Sequence, residues 1–284
     1  MKMGNTKIDW ATKVWNPTTG CTKVSQGCKN CYAERMANRF WNNHKYPGYF
    51  LGNRKFTDVL CHPERLDDPL HWRKPQRVFV GSMSDLFHPD VPDGFIYGAF
   101  MRMVAADQHI YIILTKRPER MLEWITTKWM IDFEGNSHDE LILSNVWLGV
   151  SVEDQATTDE RIPLLLQTPA AARFVSYEPA LGPVNLKPAD LHQWPDMTAW
   201  MPNKSEPDDW KYWMHKWNGI QWVICGCESG PGARPMDIEW ARSVRDQCQA
   251  AQVPFFFKQK MVDGKLIHMP ELDGQIWAQF PEVK

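Results

Sequence analysis

The sequence predicts a single α/β domain over residues 1–284, a parallel (βα) barrel or partial barrel of about six to seven strands. Three observations lead there. Short runs rich in β-branched and aromatic residues recur along the chain, and each breaks off into a polar cluster. These runs are apolar at nearly every position, as strands covered on both faces are. Segments with helical spacing lie between several of them, which is the strand–helix alternation of a parallel α/β fold.

In chain order, a first strand is expected around Lys13 to Thr18. The runs Arg77 to Gly81, Ile110 to Leu114, Val146 to Val150, Arg173 to Tyr177, Trp222 to Gly226 and Pro254 to Lys258 follow. Phe95 to Ala106 has apolar residues at helical spacing, and Pro118 to Met130 opens with a residue suited to a first helical turn. Ile238 to Ala251 is amphipathic behind Asp237 as an N-cap. Residues 187–219 break the rhythm with Pro188, Pro195, Pro202 and Pro207 and with Trp194, Trp200, Trp210, Trp213 and Trp217. That stretch is longer than an ordinary connection. An inserted loop with one short helix is expected, serving as a lid, a binding surface or a Trp-anchored excursion.

Composition narrows the class. Hydrophobic residues make up 43% and charged residues 23%, which suits a globular chain and excludes a disordered, collagen-like or coiled-coil one. No apolar run reaches about 18 residues, and Met1 to Asp9 is polar, so neither a transmembrane helix nor a signal peptide is expected. The expected location is a reducing cytoplasm, with no membrane partner. Net charge is −2, yet residues 1–60 balance ten Lys/Arg against only Asp9, Glu34 and Asp58. An anionic ligand and a merely solvated basic face both fit that excess. Most of the fifteen Trp read as packing. Seven Cys without a secretory signal read as metal or redox chemistry rather than disulfides.

In parallel α/β folds, ligands bind at the carboxyl ends of the strands. The segments there are Gly20 to Cys31, Ser82 to His88, Thr115 to Arg117, Ser151 to Asp154, Glu178-Pro179, Cys227 to Arg234 and Lys258 to Lys260. Hydroxyls, carboxylates and cations recur among them, which favours a polar small-molecule pocket over a protein-binding face. The first segment holds Cys21, Cys28 and Cys31 with the spacing C-x6-C-x2-C. Thiolates are soft ligands for zinc or iron–sulfur clusters. A structural zinc wants a fourth ligand, and His44, Cys61 and His62 are the nearest candidates. Three thiolates alone suit a [4Fe-4S] cluster with one iron open. Cluster, zinc and unliganded thiols all remain open on spacing alone.

Several blocks carry a resemblance. Ile8 to Trp10, Trp15 to Cys21 and Gly27 to Arg35, then Gly81 to Phe87, Leu114 to Pro118, Leu148 to Glu153, Ser176 to Pro179 and Gly226 to Arg234, together resemble a phage- and bacteria-associated family of three-cysteine proteins. That family is grouped with the radical S-adenosylmethionine (SAM) enzymes, and spore photoproduct lyase is a distant relative. The likeness covers most of the chain. Two features depart from it. Most radical SAM enzymes have three residues in the first cysteine gap, where this chain has six. Where the family shows Gly-Gly-Glu-Ser-Gly, this chain has Gly226-Cys-Glu-Ser-Gly230.

The resemblance implies a partial TIM-like barrel of radical SAM type, with a [4Fe-4S] cluster and SAM as cofactors and an external one-electron donor as partner. The expected chemistry is reductive cleavage of SAM, then abstraction of a hydrogen atom from a substrate. Cys21, Cys28 and Cys31 would be the metal ligands. Ser82, Ser84 and Asp85 would accept from the methionyl ammonium, and Lys116 or Arg117 would pair with its carboxylate. Ser151 and Glu153 would take the ribose hydroxyls, while Glu178 and Glu228 would serve SAM or substrate. Asp85 is alternatively a cap for a helix near Leu86, and Lys116 and Arg117 an ordinary helix entry. Cys225 and Cys227 read as small core residues or, for Cys227, as a hydrogen-atom donor; Cys61 and Cys248 read as structural. Lys23, Lys29, Arg35 and Arg39 suit a phosphate-bearing substrate, a nucleotide or nucleic-acid base. The competing class is a zinc-stabilised, non-catalytic module that binds nucleic acid or protein through the Trp-rich insertion.

Overall fold

A computed structural model describes residues 6, 8–41, 54–130, 142–187, 190–191 and 219–281. One mixed α/β sheet of eight strands organises them. The strands are β1 (Lys13–Trp15), β2 (Arg77–Val80), β3 (Ile110–Thr115), β4 (Val146–Val152), β5 (Ala172–Tyr177), β6 (Trp222–Gly226), β7 (Phe255–Val262) and β8 (Lys265–His268). Their spatial order is their chain order, and each of the first six pairs in parallel with the next. An order that never reverses has no switch point of the doubly wound kind. The sheet instead curls into a half-barrel. Seven parallel strands stand at the seven expected places, and the eighth, unforeseen from sequence, turns back antiparallel on β7.

Helices cover one face. They are α2 (Asp93–Ala105), α3 (Pro118–Trp124), α4 (Gln155–Gln167) and α5 (Ile238–Ala250); α1 (Tyr32–Phe40) lies outside that layer and packs through Ala33 and Ala37 in a small cluster with Trp41 and Phe56. The expected helix from Pro118 loosens into a π-helical turn, Ile125–Trp129. Asp237 caps α5 as expected, accepting from the Glu239 N–H at 3.0 Å. Nothing in the amphipathic pattern announced α4: its cap is Asp154, whose side chain and Thr157 form a reciprocal capping box. No helix begins at Leu86; Asp85 accepts from the Phe87 N–H at 3.0 Å and closes a turn. The Trp/Pro-rich insertion lies almost wholly outside the described residues. No described helix is long and apolar enough to cross a membrane.

The two faces of the sheet follow strand parity. Val78, Val80, Tyr111, Ile113, Leu148, Val150, Val175, Val223, Cys225, Phe255 and Phe257 point toward the helices and form the main core. The alternate residues Ile112, Trp147, Ala172, Phe174, Trp222, Ile224 and Phe256 point into the helix-free concave face, where Trp10 joins them. Trp10 and Trp222 meet edge to face at 6.1 Å, and Phe280 tilts onto Trp222 at 5.3 Å. Segments before β1 and after β8 thus plug the amino-end floor of the half-barrel with aromatic rings. Gly149 on β4 leaves the space that the Phe174 ring fills; a Cβ there would lie 2.5 Å from that ring.

Candidate functional site

The same parity carries the concave face upward from an apolar floor to a polar mouth. Beyond Trp147 and Gly149 on β4 come Ser151 and Glu153; beyond Phe174 on β5 come Ser176 and Glu178. Past Ile224 on β6 lies Glu228, past Leu114 on β3 is Lys116, and past Phe256 on β7 is Lys258. These side chains sit where the strands lose their neighbours, so they face one opening.

Their partners are largely one another. Lys116 bonds the fully buried Glu153 and donates to Ser151 Oγ at 2.9 Å. Arg161 of α4 lies 3.4 Å from both Glu153 oxygens and donates to the Ser151 carbonyl at 2.6 Å. Ser151 Oγ donates to the Glu178 carbonyl at 2.9 Å. Lys258 Nζ stands 3.0 and 3.1 Å from the two Glu178 oxygens. Glu228 accepts from Arg234 through Nη2 at 2.6 Å, Nε at 3.0 Å and the backbone N–H at 2.8 Å. Burial pushes the Glu228 carboxyl up, but those Arg234 bonds and one from Asn30 outweigh it and hold it down at about 2.

Asp85 and Arg117 are likewise committed to each other. Arg117 Nη1 lies 3.0 Å from Asp85 Oδ2, and Asp85 also accepts from Thr115 Oγ1 at 2.8 Å and from the Lys116 N–H at 3.1 Å. Both residues are under a tenth exposed. The structure therefore joins the residue expected to meet an ammonium to the one expected to meet a carboxylate. Ser82 shares hydrogen bonds with Asn16 at 3.2 and 3.3 Å, and Ser84 with Thr18 at 2.7 Å.

The cysteine loop folds over this mouth. Ser25 Oγ donates to Glu153 Oε1 at 2.9 Å, and Gln26 bonds Asp154. Asn30 Nδ2 donates to Glu228 Oε2 at 2.8 Å, and Arg234 Nη2 to the Gln26 carbonyl at 3.0 Å. Arg117 Nη2 reaches the Thr22 carbonyl and hydroxyl, both at 3.0 Å, while its Nη1 donates to Cys21 Sγ at 3.5 Å. His88 shares a 2.8 Å bond with Thr22. Gly27 is required by closeness, because a Cβ there would overlap the Glu153 carboxyl.

All three loop thiols are free. Burial, then the nearby Asp85, push the Cys21 thiol up to about 11, against the pull of Arg117. Burial also raises Cys31, opposed by the Glu34 and Ala33 N–H groups at the start of α1. Cys28 adds to the rise at both thiols, so Cys21 and Cys31 each stand within electrostatic reach of Cys28. Among the described residues, no three His, Cys, Asp or Glu side chains converge closely enough to hold a metal ion. The donor chemistry fits a soft metal, while the present spacing is that of a loop. Of the expected fourth ligands, His62 is occupied by Thr19 at 2.7 Å and Glu64 at 3.1 Å, and Cys61 packs against the core. His44 lies outside the described residues.

Cys225 is buried in the core with Cys248, and Cys227 is 2% exposed. Burial, then Glu178, lift the Cys227 thiol to about 11. Sequence reasoning missed Arg161, a cation in mid-helix, as well as Ser25 and Asn30. The last two lay inside the cysteine loop, where every polar residue was a candidate for reaching the facing strand ends. No curated protein and no solved structure matches the chain. Residues 5–281 match a family described as "Protein of unknown function (DUF5131)", and the chain accordingly belongs to the DUF5131 family.

Proposed function

We propose that the protein is a radical SAM enzyme that acts on a nucleotide or a nucleic-acid base. The observation that carries this reading is the seating of the three-cysteine loop on the carboxyl-end mouth of the half-barrel. A loop with three free thiols is bonded to the ends of β3, β4 and β6 through Arg117, Glu153 and Glu228. Cys21, Cys28 and Cys31 would hold the [4Fe-4S] cluster. With SAM bound, the cluster supplies one-electron cleavage chemistry and the means to remove a hydrogen atom.

The chain's own work is to hold, orient and seal. Arg117 fixes Cys21 and Thr22 from beneath while Asp85 fixes Arg117. This pair sets the position of the loop, and the ligand contacts fall to groups nearer the opening: Ser82, Lys116, Ser151 and Glu178. The apolar floor closes the opposite end against water, as chemistry on a reactive carbon requires. Lys29 and Tyr32, close to Cys31 in sequence, are exposed, a cation and an aromatic ring of the kinds that suit a nucleotide.

The test is made on protein purified and reconstituted without oxygen. Iron, sulfide and zinc per chain are measured, then 5′-deoxyadenosine after SAM and a strong reductant, with Cys28→Ala as control. Iron and sulfide in the ratio of a [4Fe-4S] cluster, and a product that Cys28→Ala abolishes, are expected. Zinc without iron would overturn the proposal and favour a non-catalytic zinc-stabilised binding module.

A further inference from the structure

The carboxylates of the mouth differ in how completely the chain satisfies them. Asp85 accepts from Thr115, the Lys116 and Phe87 N–H groups and Arg117. Glu153 is held by Lys116, Ser25 and Arg161, and Glu228 by Arg234 and Asn30. Glu178 is different. Its Oε2 takes Ser176 Oγ at 3.2 Å and Lys258 Nζ at 3.1 Å, but its Oε1 accepts no hydrogen bond. The Lys258 ammonium stands 3.0 Å from Oε1, yet off the line of a hydrogen bond. An ammonium has three donors, and Glu178 is the one partner that Lys258 Nζ shows among the described residues. A shielded acceptor without a donor is costly in a finished structure. Oε1 itself is shielded beside Gly226, just beneath the opening, where 14% of the Glu178 side chain and 21% of the Lys258 side chain are exposed.

We infer that Glu178 and Lys258 form a substrate subsite that reads the hydrogen-bonding edge of a heterocyclic base. The two groups offer an acceptor beside a donor and together carry no net charge. A carboxylate ligand would meet Glu178 and an ammonium would meet Lys258, so a neutral group that donates and accepts side by side is the complement. The terminal torsion of a glutamate is soft, which lets the carboxylate turn its open position toward such a ligand. Nucleobases present that edge, as ring amides or as amidines. A peptide backbone does not, because its trans geometry sends N–H and C=O in opposite directions.

This inference rests on reading the mouth as a substrate site, but its test needs neither cluster nor SAM. Binding of uridine, guanosine, cytidine and adenosine to metal-free protein is measured by calorimetry, with N-methylacetamide as the trans-amide comparison. A short single-stranded oligonucleotide tells a free base from one carried in a strand. Nucleosides are expected to bind and N-methylacetamide is not. Glu178→Ala and Lys258→Met should each weaken nucleoside binding by roughly tenfold or more. The double variant, which leaves no lone buried charge, should fold by thermal melt and bind no better than either single one. Equal binding by wild type and the folded double variant, or no binding by wild type, would overturn the subsite. Nucleoside binding that depends on Glu178, in a protein that takes up no iron, would overturn the cluster reading and keep this one.

Discussion

Arg161 supports the mouth from below. Its side chain is 2% exposed, and it faces a Glu153 carboxylate with no exposure at all. Lys116 meets the same carboxylate from the open side, so Arg161→Met leaves a half-compensated buried charge and frees the Ser151 carbonyl. Breaking a buried pair on one side costs about 3 kcal/mol, and urea denaturation should show that loss. A conservative Arg161→Lys should recover only part of it, since an ammonium cannot reach both groups as a guanidinium does. Glu228 gives a pH signature. Its carboxyl is held at about 2 against the usual 4.5, so its contribution is complete above 4.5 and disappears as pH falls toward 2. The difference corresponds to about 3 kcal/mol. Glu228→Gln should therefore lower the urea midpoint at about pH 5.5 and leave it nearly unchanged at about pH 2; parallel curves at both values would refute the assignment.

β4 is the element on which the site most depends. All seven of its residues are buried, and its two faces serve different ends: Val150 and Val152 the helix side, Trp147, Gly149 and Ser151 the concave side. Gly149→Ala drives a methyl into the Phe174 ring, an overpacking that costs about 1–3 kcal/mol. Phe174→Leu on the same background should return part of the stability in a double-mutant cycle, and strict additivity would argue against the contact. Asp237→Ala should cost α5 about 1 kcal/mol by loss of its cap, visible as a lower melting temperature. The parallel strands were legible because a strand covered on both faces is a continuous apolar run, and because each run stops where the chain meets the polar mouth. Helix α4 was not, since its buried face includes Thr157, Thr158 and Arg161, residues that read as solvent-facing. The same limit hid the Asp85–Arg117 pair. Sequence position marked both as strand-end residues, but a pair is a property of two strands side by side, and no spacing along the chain encodes it. β8 escaped notice for a related reason: largely exposed, it has no apolar run to announce it.

Across the whole molecule, Trp10 and Phe280 lie at the pole opposite the mouth. Trp10 and Phe280 close the floor, so under the proposed cluster reading a fusion at either end should leave iron uptake unaltered, whereas a Gly27→Ala change, which pushes the loop off Glu153, should reduce iron per chain. Colorimetric iron analysis of the three proteins distinguishes these outcomes. The seating of the loop also imposes an order of events. Ser25 meets Glu153 across 128 residues of chain, Asn30 meets Glu228 across 198, and Arg234 meets Gln26 across 208. During synthesis the cysteines leave the ribosome first, and the last of the residues that clamp the loop, Glu228 and Arg234, leave much later. Until then the thiols hang from a nascent segment with no strand ends to rest on, open to oxidants and stray metal. The molecule therefore covers these three thiols last, and its synthesis exposes them to whatever redox conditions surround the growing chain.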